Sequence, residues 1–181
     1  MKVIAFAASN SLTSINKTLA TYAANQVKDA SVEVLDLNHY EMPIYSPERE
    51  ENSGIPEQAH QFRQQIGDAD LLIVSFAEHN GSYSAAFKNI FDWASRIDME
   101  VWQGKPILML ATSPGPGGAQ NVLKAAVTSA PYFDGQVKAS MSVPSFYDNF
   151  DQESNTLSDA DLRNELAKAI TSLTDSLTVK S

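Results

Sequence analysis

The sequence predicts an α/β protein, a three-layer sandwich on a five-stranded parallel sheet of order 2-1-3-4-5. Three observations carry this. Short apolar runs of the kind that form strands buried on both faces alternate with segments of helical spacing. Five such alternations occur in succession, which makes a series of βαβ units. With 181 residues, 43% of them hydrophobic and 19% charged, the chain suits a single domain, 1–181, with a full core.

The elements follow in order. Val3–Ala7 is the first apolar run. Ile15, Leu19, Tyr22, Ala23 and Val27 then keep helical spacing, and residues 32–36 read as a second strand. The stretch from about Asn38 to Gly54, with Pro43, Pro47 and an acidic run at 48–51, reads as irregular and solvated. A helix is predicted from near Pro56, since proline suits the first helical turn. Residues 71–76 form the third strand, and Phe87, Ile90, Phe91, Ala94 and Ile97 are the buried stripe of the next helix. Residues 107–111 give a fourth strand, Val122 to Ala130 a helix, and 136–143 a fifth strand. Ser158 and Asp161 have capping-box spacing and open a last helix carrying Leu162, Leu166, Ile170, Leu173 and Leu177.

Composition narrows the function classes. There is no cysteine, so disulfides, thiolate metal sites and a cysteine nucleophile are excluded. The formal net charge of −9 argues against a phosphate backbone as partner. His39 and His60 stand alone without metal-ligand spacing. The start, Met1 to Ala7, imitates a signal peptide, but its apolar run is too short and polar residues follow from Ser9. No apolar stretch approaches the roughly 20 residues of a membrane span. A cytoplasmic protein, without nucleic-acid or membrane partners, is expected.

Right-handed crossovers put helices on both faces of such a sheet, and ligands bind beyond its carboxyl edge. Three loops meet there. The first, Ala8 to Asn16, carries four hydroxyls and two amides and has no charge before Lys17. Small polar residues leading into a helix suit a phosphate, through backbone N–H groups and the helix dipole; Ser14 also reads as a plain N-cap. The second, Ala77 to Ser84, holds an Asn80-Gly81 turn at a strand terminus. The third, Thr112 to Ala119, has three glycines and two prolines, a shaped backbone open to close approach by a flat ligand. It lacks the G-x-G-x-x-G spacing of a dinucleotide fingerprint. Phosphate at one end and a planar ring at the other describe a mononucleotide such as FMN.

These residues resemble a known family. Ala8-Ser9-x-Ser11-x-x-Ser14-x-Asn16 is similar to the G-S-x-R-x-x-S-x-N phosphate loop of the NADPH-dependent FMN reductases, a flavodoxin-like family that includes quinone, azo-dye and chromate reductases. Ala77-Glu78-His79-Asn80-Gly81-Ser82 resembles its P-E-Y-N-G-S flavin loop. Phe87-Lys88-Asn89-x-x-Asp92-Trp93 resembles the L-K-N-x-x-D-W helix that follows, and Ser113-Pro114-Gly115-x-Gly117-Gly118 its third loop. The family's first-loop arginine is Ser11 here, which removes a fixed cation. Its glycine is Ala8, and its Pro and Tyr of the second loop are Ala77 and His79.

The resemblance implies roles. Ser9, Ser11, Ser14 and Asn16 would hold the FMN phosphate, with Ile15 among them in the same loop. Glu78, His79, Asn80, Gly81 and Ser82 would line the isoalloxazine and ribityl chain. Ser113 and Gly115 would border the ring from the other side. The implied activity is transfer of two electrons from NADPH or NADH, through flavin N5, to a quinone-like or other small acceptor, by a homodimer or homotetramer. No side chain need act as acid or base, so no catalytic residue is assigned. An FMN electron carrier without its own NAD(P)H activity is the alternative. Trp93, Phe87 and Phe91 are expected in the core or at subunit contacts rather than in a substrate cage.

Overall fold

The computed structural model describes residues 1–178. The elements are β1 (Lys2–Ala8), α1 (Ile15–Asn25), β2 (Ser31–Leu35), a 3-10 turn (Leu37–Tyr40), α2 (Pro47–Ser53), α3 (Glu57–Asp68), β3 (Leu71–Phe76) and α4 (Ala85–Ile97). They continue with β4 (Pro106–Thr112), α5 (Gln120–Ser129), a second 3-10 turn (Ala130–Phe133), β5 (Gln136–Val143), α6 (Phe146–Asn149), β6 (Phe150–Asp151), β7 (Thr156–Leu157) and α7 (Ala160–Thr178). The five main strands are parallel, in the order β2-β1-β3-β4-β5.

Side-chain alternation along each strand divides the core in two. Ile4, Phe6, Leu72, Val74, Ile107 and Met109 face the layer of α3, α4 and α5. Val3, Ala5, Leu71, Ile73, Leu108 and Leu110 face α1 and α7. Because β1, β3 and β4 are covered on both sides, their interiors read as unbroken apolar runs. Trp93 is fully buried, and Phe87 and Trp102 are core residues as well.

The stretch from 38 to 54 is more ordered than its sequence implies. Residues 47–53 form α2, with Ser46 Oγ accepting from Arg49 N, proline at the first position and Glu48 and Glu50 in the first turn. Acidic groups there complement the helix dipole, and Glu50 also pairs with Arg96 at 2.9 Å. None of its residues is buried, so it carries no apolar period to read. The preceding strap is pinned to α4. Asn89 Oδ1 accepts from Tyr45 N, Asn89 Nδ2 donates to the carbonyls of Met42 and Pro43, and Trp93 Nε1 donates to Pro43 O at 2.8 Å. These bonds give the K-N-x-x-D-W spacing its physical content, with Lys88 and Asp92 paired one turn apart on the same helix.

The last helix begins one residue later than the capping box predicts. Asp159 Oδ1 accepts from Leu162 N at 2.8 Å, while Ser158 Oγ donates to Asp148 O. Ahead of it, β6 and β7 form a two-stranded antiparallel hairpin without a sequence signal, seated by Phe150 and Leu157 on the α1–α7 core.

Candidate functional site

The carboxyl ends of β1, β3 and β4 bring the three loops to one edge. Among the described residues the buried polar side chains are Ser9, Ser14, Asn16, Ser75, Ser84 and Thr112. All six stand in or directly beneath these loops. A buried polar group is costly unless bonded, so their hydrogen bonds define how the edge is built.

The first loop is a neutral donor set. Ser9 Oγ accepts from Ser11 N, and Ser14 caps α1 by accepting from Lys17 N, both at 3.2 Å. Ser11 to Thr13 are exposed. The remaining first-turn N–H groups, those of Ile15 and Asn16, have no acceptor within the helix. Lys17 is engaged by Asp36 at 2.7 Å. That ammonium, followed by the Asn38 N–H groups, holds the Asp36 carboxyl at about 2, below its ordinary 3.8. Asn16 is 3% exposed, and its amide is taken up within the fold: Oδ1 accepts from Thr112 N and Ser75 Oγ, and Nδ2 donates to Thr112 O.

The second loop is a two-residue hairpin turn. His79 and Ser82 exchange backbone hydrogen bonds of 2.9 and 3.1 Å across Asn80 and Gly81. Both central residues have positive φ, 51° and 77°, the requirement of a type I′ turn that Asn-Gly meets with least strain. His79, Asn80, Gly81 and Ser82 are exposed, while Glu78 turns inward. Its carboxylate accepts from Val122 N at 2.9 Å and from Asn121 Nδ2 at 3.3 Å. Ala119, at the cap position of α5, offers no side-chain acceptor, so Glu78 supplies the missing cap from another loop. Ser84 closes the segment by capping α4 and donating to Ala8 O at 2.9 Å, which joins it to the end of β1.

The third loop is held from beneath. Gly115 O accepts from Ser145 N and from Ser113 Oγ, and Ser113 O accepts from Phe146 N. Gly118 has φ +57°, and a Cβ there would collide with Ser142 Oγ and crowd the Pro144 backbone. By contrast, nothing lies within 4 Å of where a Cβ would stand at Gly81, Gly115 or Gly117. Open backbone of this kind, in both the second and the third loop, permits close approach by a flat ring.

Ser9, Ser11, Ser14, Ile15, His79, Asn80, Gly81, Ser82, Ser113 and Gly115 thus belong to the three converging loops. Glu78 and Asn16 belong to them through buried or half-buried ties. Sequence reasoning missed Ser75, Ser84 and Thr112. Their signal was a hydroxyl interrupting or ending an apolar strand, or preceding a helix. No group of three metal-ligating side chains occurs among the described residues, and no described helix is long and apolar enough to cross a membrane.

Known proteins give the comparison. The chain is 40% identical over 107 residues to a 2-hydroxy-1,4-benzoquinone reductase of Burkholderia sp., covering 58% of this chain and 56% of that protein. It is 32% identical over 125 residues to an NADPH:quinone oxidoreductase of Arabidopsis thaliana, covering 67% and 62%. The chain thus spans less than two thirds of the length of these curated relatives. The solved structure of FerB, a flavoenzyme NAD(P)H:acceptor oxidoreductase from Paracoccus denitrificans, superposes with a TM-score of 0.73 at 20% identity, over 96% of this chain and 97% of that one. That likeness bears on the fold, which is flavodoxin-like. Residues 1–148, which hold all three loops, match the NADPH-dependent FMN reductases, and the chain belongs to that family.

Proposed function

We propose that this protein is an FMN-dependent NAD(P)H oxidoreductase that reduces small quinone-type acceptors. The observation that carries the reading is the carboxyl edge itself, where every buried polar side chain of the described residues supports one of three loops. When bound, FMN would supply the two-electron chemistry between a reduced nicotinamide and the acceptor.

The chain's residues bind and orient. The N–H groups of Leu12, Thr13 and the first turn of α1, with the Ser9, Ser11 and Ser14 hydroxyls, suit a phosphate dianion without a paired arginine. Lys17 is neutralised by Asp36, so the helix end and hydroxyls carry most of that interaction. The turn at Asn80 and Gly81 and the open backbone at Ser113 and Gly115 would border the ring. Glu78 keeps the turn and the start of α5 at a fixed separation. No acid or base is assigned, because a hydride needs a positioned donor and acceptor rather than a proton relay. In this reading the chain is a single flavin-binding domain, cytoplasmic, and a homodimer or homotetramer.

The test is reconstitution with FMN followed by stopped-flow mixing with NADH or NADPH, then with a benzoquinone. Rapid bleaching by a nicotinamide and reoxidation by the quinone are expected. Tight FMN binding without bleaching would instead identify an electron carrier, and no flavin binding would remove the reading altogether. Light scattering of the same sample gives the assembly.

A further inference from the structure

We infer that Asn16 is a positioning residue for the flavin ring rather than a ligand of the flavin phosphate. The inference rests on the proposed flavin site and deepens it. The sequence pattern puts Asn16 in the phosphate loop, but its side chain is turned down into the sheet.

Thr112 is the last residue of β4. On one side it pairs with Val143 of β5. On the other, the ladder with β3 ends one residue earlier, at Phe76 and Ala111, because the chain turns away into the second loop. Beyond that point the peptide groups of Thr112 have no strand to pair with, and Thr112 is 1% exposed. Buried backbone donors and acceptors left unpaired are costly. The Asn16 amide fills the place of the absent strand. Its oxygen accepts from Thr112 N and its nitrogen donates to Thr112 O, both at 3.1 Å, taking the place of the two peptide groups that a neighbouring strand would offer. Ser75 Oγ of β3 donates to the same amide oxygen at 2.7 Å.

One primary amide, carried by the second residue of α1, therefore ties β3 to β4 where the two strands part. From that parting the chain leaves the sheet on one side into the Asn80–Gly81 turn and on the other into the Ser113–Gly115 loop. Asn16 fixes how far apart the two loops start while keeping the backbone of Thr112 paired. A hydrophobic residue there could not serve both a donor and an acceptor. Aspartate would keep the acceptor but face the Thr112 carbonyl with negative charge.

The experiment compares FMN with riboflavin, which lacks the phosphate. Affinities for both are measured with wild-type protein, Asn16→Ala and Ser75→Ala, together with the visible spectrum and midpoint potential of the bound flavin. For Asn16→Ala the inference expects affinity for both flavins to fall alike, by about tenfold, the loss of one net interaction. The FMN-to-riboflavin ratio stays at the wild-type value while the spectrum and potential shift. A ratio that collapses with an unchanged spectrum would make Asn16 a phosphate ligand and overturn the inference. Should Asn16→Ala fail to fold, Ser75→Ala decides. A spectral shift at an unchanged ratio sustains the inference, and a wild-type spectrum overturns it. Wild-type protein that binds neither flavin overturns the functional reading itself, before any variant is made.

Discussion

The interior of the sheet and its carboxyl edge are held by different forces. Inside, β1, β3 and β4 are apolar and covered on both faces, with Phe6 meeting Phe62 at 5.7 Å in an edge-on contact. That region is held by burial and close packing, which are large in sum and indifferent to direction. At the edge a handful of hydroxyls, one amide and one carboxylate each serve partners fixed in direction. Such bonds are individually modest, but leaving one unmade is costly. Damage inside should therefore appear as lost stability, and damage at the edge as altered ligand geometry.

Phe6→Ala tests this division with the largest effect. Removing a fully buried ring should cost about 3–5 kcal/mol in urea unfolding, while the folded fraction keeps its discrimination between FMN and riboflavin. A changed discrimination would break the division.

Gly118→Ala comes next. Its left-handed backbone costs about 1–3 kcal/mol, and the collision with Ser142 displaces the third loop. Flavin affinity should fall further than the melting temperature implies, which calorimetry and fluorescence titration together can check. Glu78→Ala leaves Val122 N at the start of α5 without its cap. A loss of about 1–2 kcal/mol is expected, as for an N-cap, with a shift in bound-flavin absorbance because the second loop is released from α5.

Asp36→Asn should be the smallest. The Asp36 carboxyl is held at about 2 in the fold against 3.8 ordinarily, so its stabilising contribution is present above pH 4 and is lost as pH falls through 2. Both partners are partly exposed, so the contribution is under about 1 kcal/mol. The variant should flatten the acid limb of stability between pH 4 and 2. It also frees Lys17 beside the first loop. Tighter FMN binding at unchanged riboflavin binding would show that this cation can compensate for Ser11, the residue standing where the family has arginine.

The carboxyl edge was legible in the sequence to the extent that its signals were local. Asn80-Gly81 states its own turn type, Ser14 its own cap, and the glycines of the third loop their own openness. The partners of these loops were not legible. Glu78 is expected to line the ring, and nothing near it in the chain tells that its carboxylate caps a helix 44 residues further along. The strap at Met42 to Tyr45 reads as irregular because its bonds go to Asn89 and Trp93 on α4.

By itself the sequence determined the alternation of strands and helices, the order of the sheet and the places where its loops meet. Apolar period and turn chemistry act over a few residues and need no distant partner. Tertiary structure alone decided what the buried polar groups do. Asn16 finds Ser75 at a separation of 59 residues and Thr112 at 96. An amide's role depends on which donors and acceptors surround it, and those are brought together only when the sheet has formed.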